Sequence, residues 1–188
     1  MKISAATEFR CAKFAVVFAV LAYWLSGAAF SSYSHAADAA TGALGPWTQG
    51  PHPLFTLPSV SAAQVALASE RGHVVIMHFF ATWCEACLEE MPALNRFSDR
   101  SGDKIKIMAI SVAEPETRVQ RFLAVAPARF PVLLDRDRAI ARAWNVSTLP
   151  TSIVTDRNLV PRFVAASNVD WDSIDPAKLI AEVAVGDR

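Results

Sequence analysis

The sequence predicts an α/β domain in which helices flank a central mixed β-sheet. Two observations carry most of this. Val74–Phe80 (VVIMHFF) and Ile105–Val112 (IKIMAISV) are continuous apolar runs of strand length, with helical-period segments after each. Runs without polar alternation belong to strands buried on both faces, so the sheet must be covered on each side. The third observation is at the end of the chain, where Thr151–Thr155 and Leu159–Ala165 are separated only by Asp156-Arg157-Asn158. That pattern reads as a hairpin, which adds antiparallel pairing to the sheet.

The first 36 residues read as an address. Lys2, Arg10 and Lys13 form a positive leader, and Phe14–Leu25 is apolar and uncharged. Ser34-His35-Ala36 then offers small residues at the −3 and −1 positions of a cut after Ala36. The apolar stretch is short for a bilayer span, which takes about 20 residues. Two readings follow, a cleaved signal peptide or a retained membrane anchor, and both export the rest of the chain. Residues 37–53, rich in Ala, Gly, Pro and Thr, read as a linker, and 54–188 as the domain. Beyond residue 36 the chain carries 15 basic and 17 acidic residues, a balance with no footprint for nucleic acid.

The remaining elements follow in order. Ser61–Glu70 reads as a short helix. A longer helix is predicted over Glu85–Phe97, with Cys87, Met91 and Leu94 at helical spacing. Pro115 opens another, since proline suits a first turn, and Pro127 ends it. Pro131–Asp135 is a third strand and Asp137–Trp144 a short helix. After Thr151–Thr155, Asn158 is the residue expected to take the left-handed conformation of the turn. Asp175-Pro176 starts the closing helix, with Leu179, Ile180 and Val183 facing inward.

Cysteine usage narrows the chemistry. Of three cysteines, Cys11 lies in the address, leaving Cys84 and Cys87 in the domain. So short a loop gains little as a structural staple. The pair sits where a buried strand turns into a helix. There Cys84 meets unpaired backbone N–H groups and the positive end of the helix dipole, which favour a thiolate. Cys87, one turn on, can attack a mixed disulfide formed by Cys84. Zinc binding would need two more ligands, yet the histidines are His35, His52, His73 and His78, and none follows the motif.

The stretch Phe79-Phe80-Ala81-Thr82-Trp83-Cys84-Glu85-Ala86-Cys87-Leu88-Glu89-Glu90-Met91-Pro92 resembles the active site of the TlpA/ResA-like thioredoxin family. The resemblance runs from about Phe55 to Val183. It implies a thioredoxin-like fold with a strand–helix insertion after the active-site helix, here Ile105–Ala126. It also implies an exported bacterial disulfide oxidoreductase, usually a reductant. Leu149-Pro150-Thr151 looks like the family's cis-proline segment, with Pro150 and Leu149 presented to a partner's backbone. Glu90 stands where several members carry a glutamate thought to assist proton transfer. The cofactor implied is none beyond the redox-active disulfide Cys84–Cys87. The partners implied are proteins bearing disulfides and a membrane electron donor for re-reduction. Some members of the family serve cytochrome c maturation; for this chain that role, copper-centre assembly and general thiol repair all stay open, and the periplasm is the implied compartment.

Several residues keep two readings. Glu90 falls on the same helix side as Cys87, but a solvated glutamate like Glu89 would look the same. His78, six residues before Cys84, stands where the family often has Asn and plain thioredoxins a buried Asp. It is either a proton shuttle or a core histidine with a satisfied hydrogen bond. Trp83 either covers the disulfide or packs. Glu85 opposes a nearby thiolate, whereas the helix end favours it.

Four other functions compete, one of them a non-catalytic adhesive or structural domain, which would survive Cys84→Ser without loss of phenotype. A disulfide oxidant would share the motif. A Sco-like copper module would have three residues between its cysteines and a distant downstream histidine, and this chain has neither. A peroxidase of the peroxiredoxin type would have Thr three residues before its reactive cysteine, where this chain has Ala81.

Overall fold

The computed structural model describes residues 43–50, 52–61 and 64–185. The address segment 1–36, with Cys11, lies outside the described residues. Among the described residues no helix is long and apolar enough to cross a membrane.

Val74–Phe80 (β4) is the middle of the sheet, and all seven of its residues are buried. It runs parallel to Ile105–Val112 (β5), which runs parallel to Val132–Asp135 (β6). On its other side it pairs antiparallel with Thr151–Thr155 (β7), followed by Pro161–Ala165 (β8) and Gly45–Pro46 (β1). The strand order is therefore β1-β8-β7-β4-β5-β6, a mixed sheet. Thr56–Leu57 (β2) and Val65–Ala66 (β3) pair separately. The helices are Glu85–Ser101 (α1), Glu116–Val125 (α2), Ala139–Ala143 (α3) and Pro176–Val185 (α4).

The alternation along β4 builds two cores. Ile76 and Phe80 pack with Cys87, Met91, Leu94 and Phe97 of α1, Val119 of α2, and Leu179 and Val183 of α4. Val75, Met77 and Phe79 face the other way, onto Phe55, Leu57, Leu67, Ala141 and Trp144. Each such side chain, fully buried, stabilises by about 1.5–3 kcal/mol relative to exposure. With apolar contacts on both faces, β4 is a rigid base for the loop that leaves its end.

Three expectations need correction. Ser61–Glu70 is not a helix: β3 is followed by a 3-10 turn at Leu67–Glu70. A short isolated helix is marginal, whereas Leu67 is fully buried and its N–H bonds Phe55 O across the small sheet. The stretch expected as linker contains β1, and Trp47 just after it bonds Arg162 O and packs its ring 6.2 Å from Trp144. Pro46, which lacks an N–H, is tolerated because β1 is an edge strand. In the β7–β8 turn the left-handed residue is Leu159, φ 66°, not Asn158. Asp156 Oδ1 accepts the N–H groups of Asn158 and Val160, each at 2.8 Å, and the core holds the Leu159 side chain.

Helix α1 runs one turn past its predicted end. Ser101 Oγ donates to Phe97 O at 2.7 Å, and Gly102, at φ 54°, closes the helix.

Candidate active site

The loop Ala81–Cys84 leaves the buried end of β4 and is tied down from behind. Glu114, buried in the turn after β5, accepts the Thr82 N–H at 2.8 Å and the Thr82 hydroxyl at 2.5 Å. It also accepts Ser111 Oγ at 2.9 Å. These three bonds fix the strand-to-helix turn against the neighbouring strand. Cys84 then caps α1: its backbone is extended, and its Sγ accepts the Cys87 N–H at 3.2 Å.

Cys84 and Cys87 are joined in a disulfide, with Cα atoms 5.2 Å apart. Their environments differ. Cys84 is 8% exposed and Cys87 fully buried, so a partner can reach only the first sulfur. When the bond opens, the Cys84 sulfur stays at a helix N-terminus, which favours its thiolate. Cys87 lies in the apolar core, which favours its neutral thiol.

Behind Cys87 lies a buried polar cluster. Glu90 is only 3% exposed. Its Oε1 accepts the Trp171 indole N–H and the Val169 backbone N–H, the latter at 3.3 Å. Burial raises its carboxyl to about 7; the Trp171 and Val169 bonds pull the other way without offsetting it. His78 on β4 is fully buried, with Nδ1 3.0 Å from Ser152 Oγ and 3.9 Å from Glu90 Oε1. Burial holds its imidazole down at about 3, so it stays neutral across the physiological range.

The other predicted residues lie around this pair. The Leu149–Pro150 peptide is cis. Thr151 stands opposite Phe79, so the register puts Pro150 beside the end of β4 from which the active-site loop departs. Leu149 is half-buried against the core that contains both cysteines. Trp83 is 67% exposed, and Glu85 is exposed as well, so both face solvent rather than the core.

Sequence reasoning missed Glu114, Ser152 and Trp171. Ser152 carried only a faint signal, as one of three hydroxyl residues in the strand Thr151–Thr155. Trp171 carried none, because its contact with Glu90 spans 81 residues of chain. Among the described residues no group of three or more His, Cys, Asp or Glu side chains could hold a metal ion.

A central mixed sheet, a disulfide at a helix N-terminus and a neighbouring cis-proline define a thioredoxin-like protein. The chain belongs to the AhpC/TSA family, whose profile matches residues 49–163. It is similar to the "Thiol-disulfide oxidoreductase ResA" of Geobacillus kaustophilus, 33% identical over 107 residues, covering 56% of this chain and 62% of that protein. The protein of that name from Bacillus subtilis is 33% identical over 103 residues, covering 54% and 58%. The chain thus matches about three fifths of the length of these relatives. Among solved structures, a Chlorobium tepidum protein described as a thiol:disulfide interchange protein DsbE superposes with a TM-score of 0.62 at 26% identity. That match covers 71% of this chain and 93% of the other. A DsbF homologue from Corynebacterium diphtheriae, 20% identical with a TM-score of 0.63, covers 80% and 96% and shares the fold.

Proposed function

We propose that this chain is a thiol–disulfide oxidoreductase that reduces disulfides in exported proteins. The observation that carries the reading is the asymmetry of the pair: a reachable sulfur at a helix N-terminus, bonded to a fully buried one. In the reduced protein the Cys84 thiolate attacks one sulfur of the partner's disulfide. A mixed disulfide forms, and the partner's other sulfur leaves as a thiolate and takes a proton. Cys87 gives its proton to the Glu90 carboxylate, and its sulfur attacks Cys84. The second partner thiolate leaves, two electrons have passed to the partner, and Cys84–Cys87 is oxidised. Pro150 and Leu149 align the partner's backbone, and Trp83 and Glu85 meet its surface.

The ResA names of the relatives and the leader-like first 36 residues support an exported site of action, the bacterial periplasm. A membrane electron donor re-reduces the pair there, and cytochrome c or copper-centre maturation supplies the substrates.

The test is equilibration of the chain with thiol buffers. A two-electron transition near the thioredoxin potential, about −270 mV, is expected for a reductant. A value near that of DsbA, about −120 mV, would make the protein an oxidant, and no transition would remove the enzyme altogether. Cys87→Ser should accumulate a mixed disulfide through Cys84. Rapid peroxide consumption would instead point to a peroxidase.

A further inference from the structure

His78 is a fully buried titratable group that the exchange steps above do not use. Its place in the fold gives it one. It lies across the sheet from Ser152, its register partner on β7, and faces Glu90 of α1. Its Nε2 has no partner among the described residues. A buried N–H without an acceptor is costlier than an idle lone pair, which favours the proton on Nδ1. From there the N–H lies between two oxygens, Ser152 Oγ at 3.0 Å and Glu90 Oε1 at 3.9 Å.

Glu90 is equally asymmetric. Oε1 collects the Trp171 and Val169 donors, whereas Oε2 has no partner among the described residues. Oε2 is therefore where a proton comes and goes, and Oε1 is where the charge left behind is held.

We propose that His78 is a positioning residue for Glu90: when the carboxylate forms, the Nδ1–H swings from Ser152 to Oε1 and sustains the anion that accepts the Cys87 proton. The swing needs a shift of about 1 Å to reach hydrogen-bond distance. This rests on the roles of Cys87 and Glu90 given under the proposed function. The groups facing the pair are few. Helix α1 contributes Cys87 and Glu90, β7 the uncharged Ser152, and the segment before α4 the Trp171 and Val169 donors. Ala109 of β5, opposite His78, carries no charge. Glu89 and Asp170 are exposed, and Glu114 is engaged by Thr82 and Ser111. Because His78 stays neutral, it acts as an oriented dipole rather than as a counter-ion.

The reduced chain carrying Cys11→Ser, so that Cys84 and Cys87 are its two thiols, mixed with dithiobis(nitrobenzoate) in a stopped-flow instrument, tests this. Cys84 attack releases one thionitrobenzoate, and Cys87 resolution releases the second. The rate of the second release, followed from pH 5 to 9, should rise with ionisation of Glu90. His78→Leu should move that midpoint up by about one pH unit and slow the step about fivefold at pH 7. His78→Asn, whose amide N–H can stand where Nδ1 stood, should restore the midpoint. His78→Gln, with its amide one carbon further out, should not. In a Glu90→Gln background His78→Leu should add no shift. An unchanged midpoint in His78→Leu, or the same shift without Glu90, would overturn the proposal. If His78→Leu does not fold, the comparison of Asn with Gln decides alone. Failure of the parent to release a second thionitrobenzoate would instead refute the exchange reaction itself.

Discussion

Replacing Glu90 by Gln should change how the stability of the oxidised fold depends on pH, and the structure supplies the size of the effect. Burial raises this carboxyl from 4.5 to about 7. Between those values the native protein holds a proton that the unfolded chain has released. The associated stability is therefore present below pH 4.5 and lost as pH rises through 7. At about 1.4 kcal/mol per pH unit, the loss is about 3 kcal/mol. His78 acts in the opposite sense, because burial lowers it from 6.5 to about 3. The unfolded chain binds a proton there that the native protein refuses, so stability falls as pH drops below 6.5. From pH 4.5 to 6.5 the two slopes oppose each other, and the parent curve should be nearly flat. Gln keeps an oxygen for the Trp171 and Val169 donors but cannot ionise. Glu90→Gln should therefore uncover the His78 slope, about 1.4 kcal/mol per pH unit across that window. Relative to the parent, it should gain about 3 kcal/mol between pH 4.5 and 9. Urea unfolding at constant ionic strength, with the disulfide intact, measures both curves. Parallel curves would refute the reasoning, because they would mean that Glu90 titrates alike in the folded and unfolded chains.

Trp171→Phe removes the indole donor from Glu90 Oε1 and should raise the Glu90 midpoint by roughly one further pH unit, read by carboxyl NMR. A midpoint that does not rise would mean that the indole leaves the anion unsupported. Glu114→Ala strands the Thr82 and Ser111 donors and should cost about 2–3 kcal/mol in urea unfolding. Hydrogen exchange at the Thr82 amide should quicken in that variant, and unchanged exchange would show that the loop does not depend on Glu114.

Much of the frame was legible in the chain. The runs Val74–Phe80, Ile105–Val112 and Thr151–Thr155 became strands with the predicted limits, because burial on both faces leaves few other uses for such sequences. The cysteine motif was equally readable, since its chemistry depends on local spacing and on a helix start that local sequence signals. The segments that went astray are short ones governed by distant partners. Gly45–Pro46 is a strand because Phe163 and Val164 lie opposite, and Leu67 leaves a helical path to bond Phe55. Leu159 takes a left-handed backbone because the second core fixes its side chain and Asp156 holds the turn.

By itself, the sequence determined the strand-then-helix setting of Cys84 and Cys87 and the layered α/β architecture. Both follow from local periodicity and from where apolar residues stand. Only the tertiary structure decided what surrounds the pair. Cys84 is reachable and Cys87 sealed, Glu114 pins the loop, and Glu90 lies buried with Trp171, Val169 and His78 instead of in solvent. These facts depend on residues far apart in the chain. Proton affinity and accessibility arise from burial and from hydrogen bonds across the fold, which no local pattern encodes.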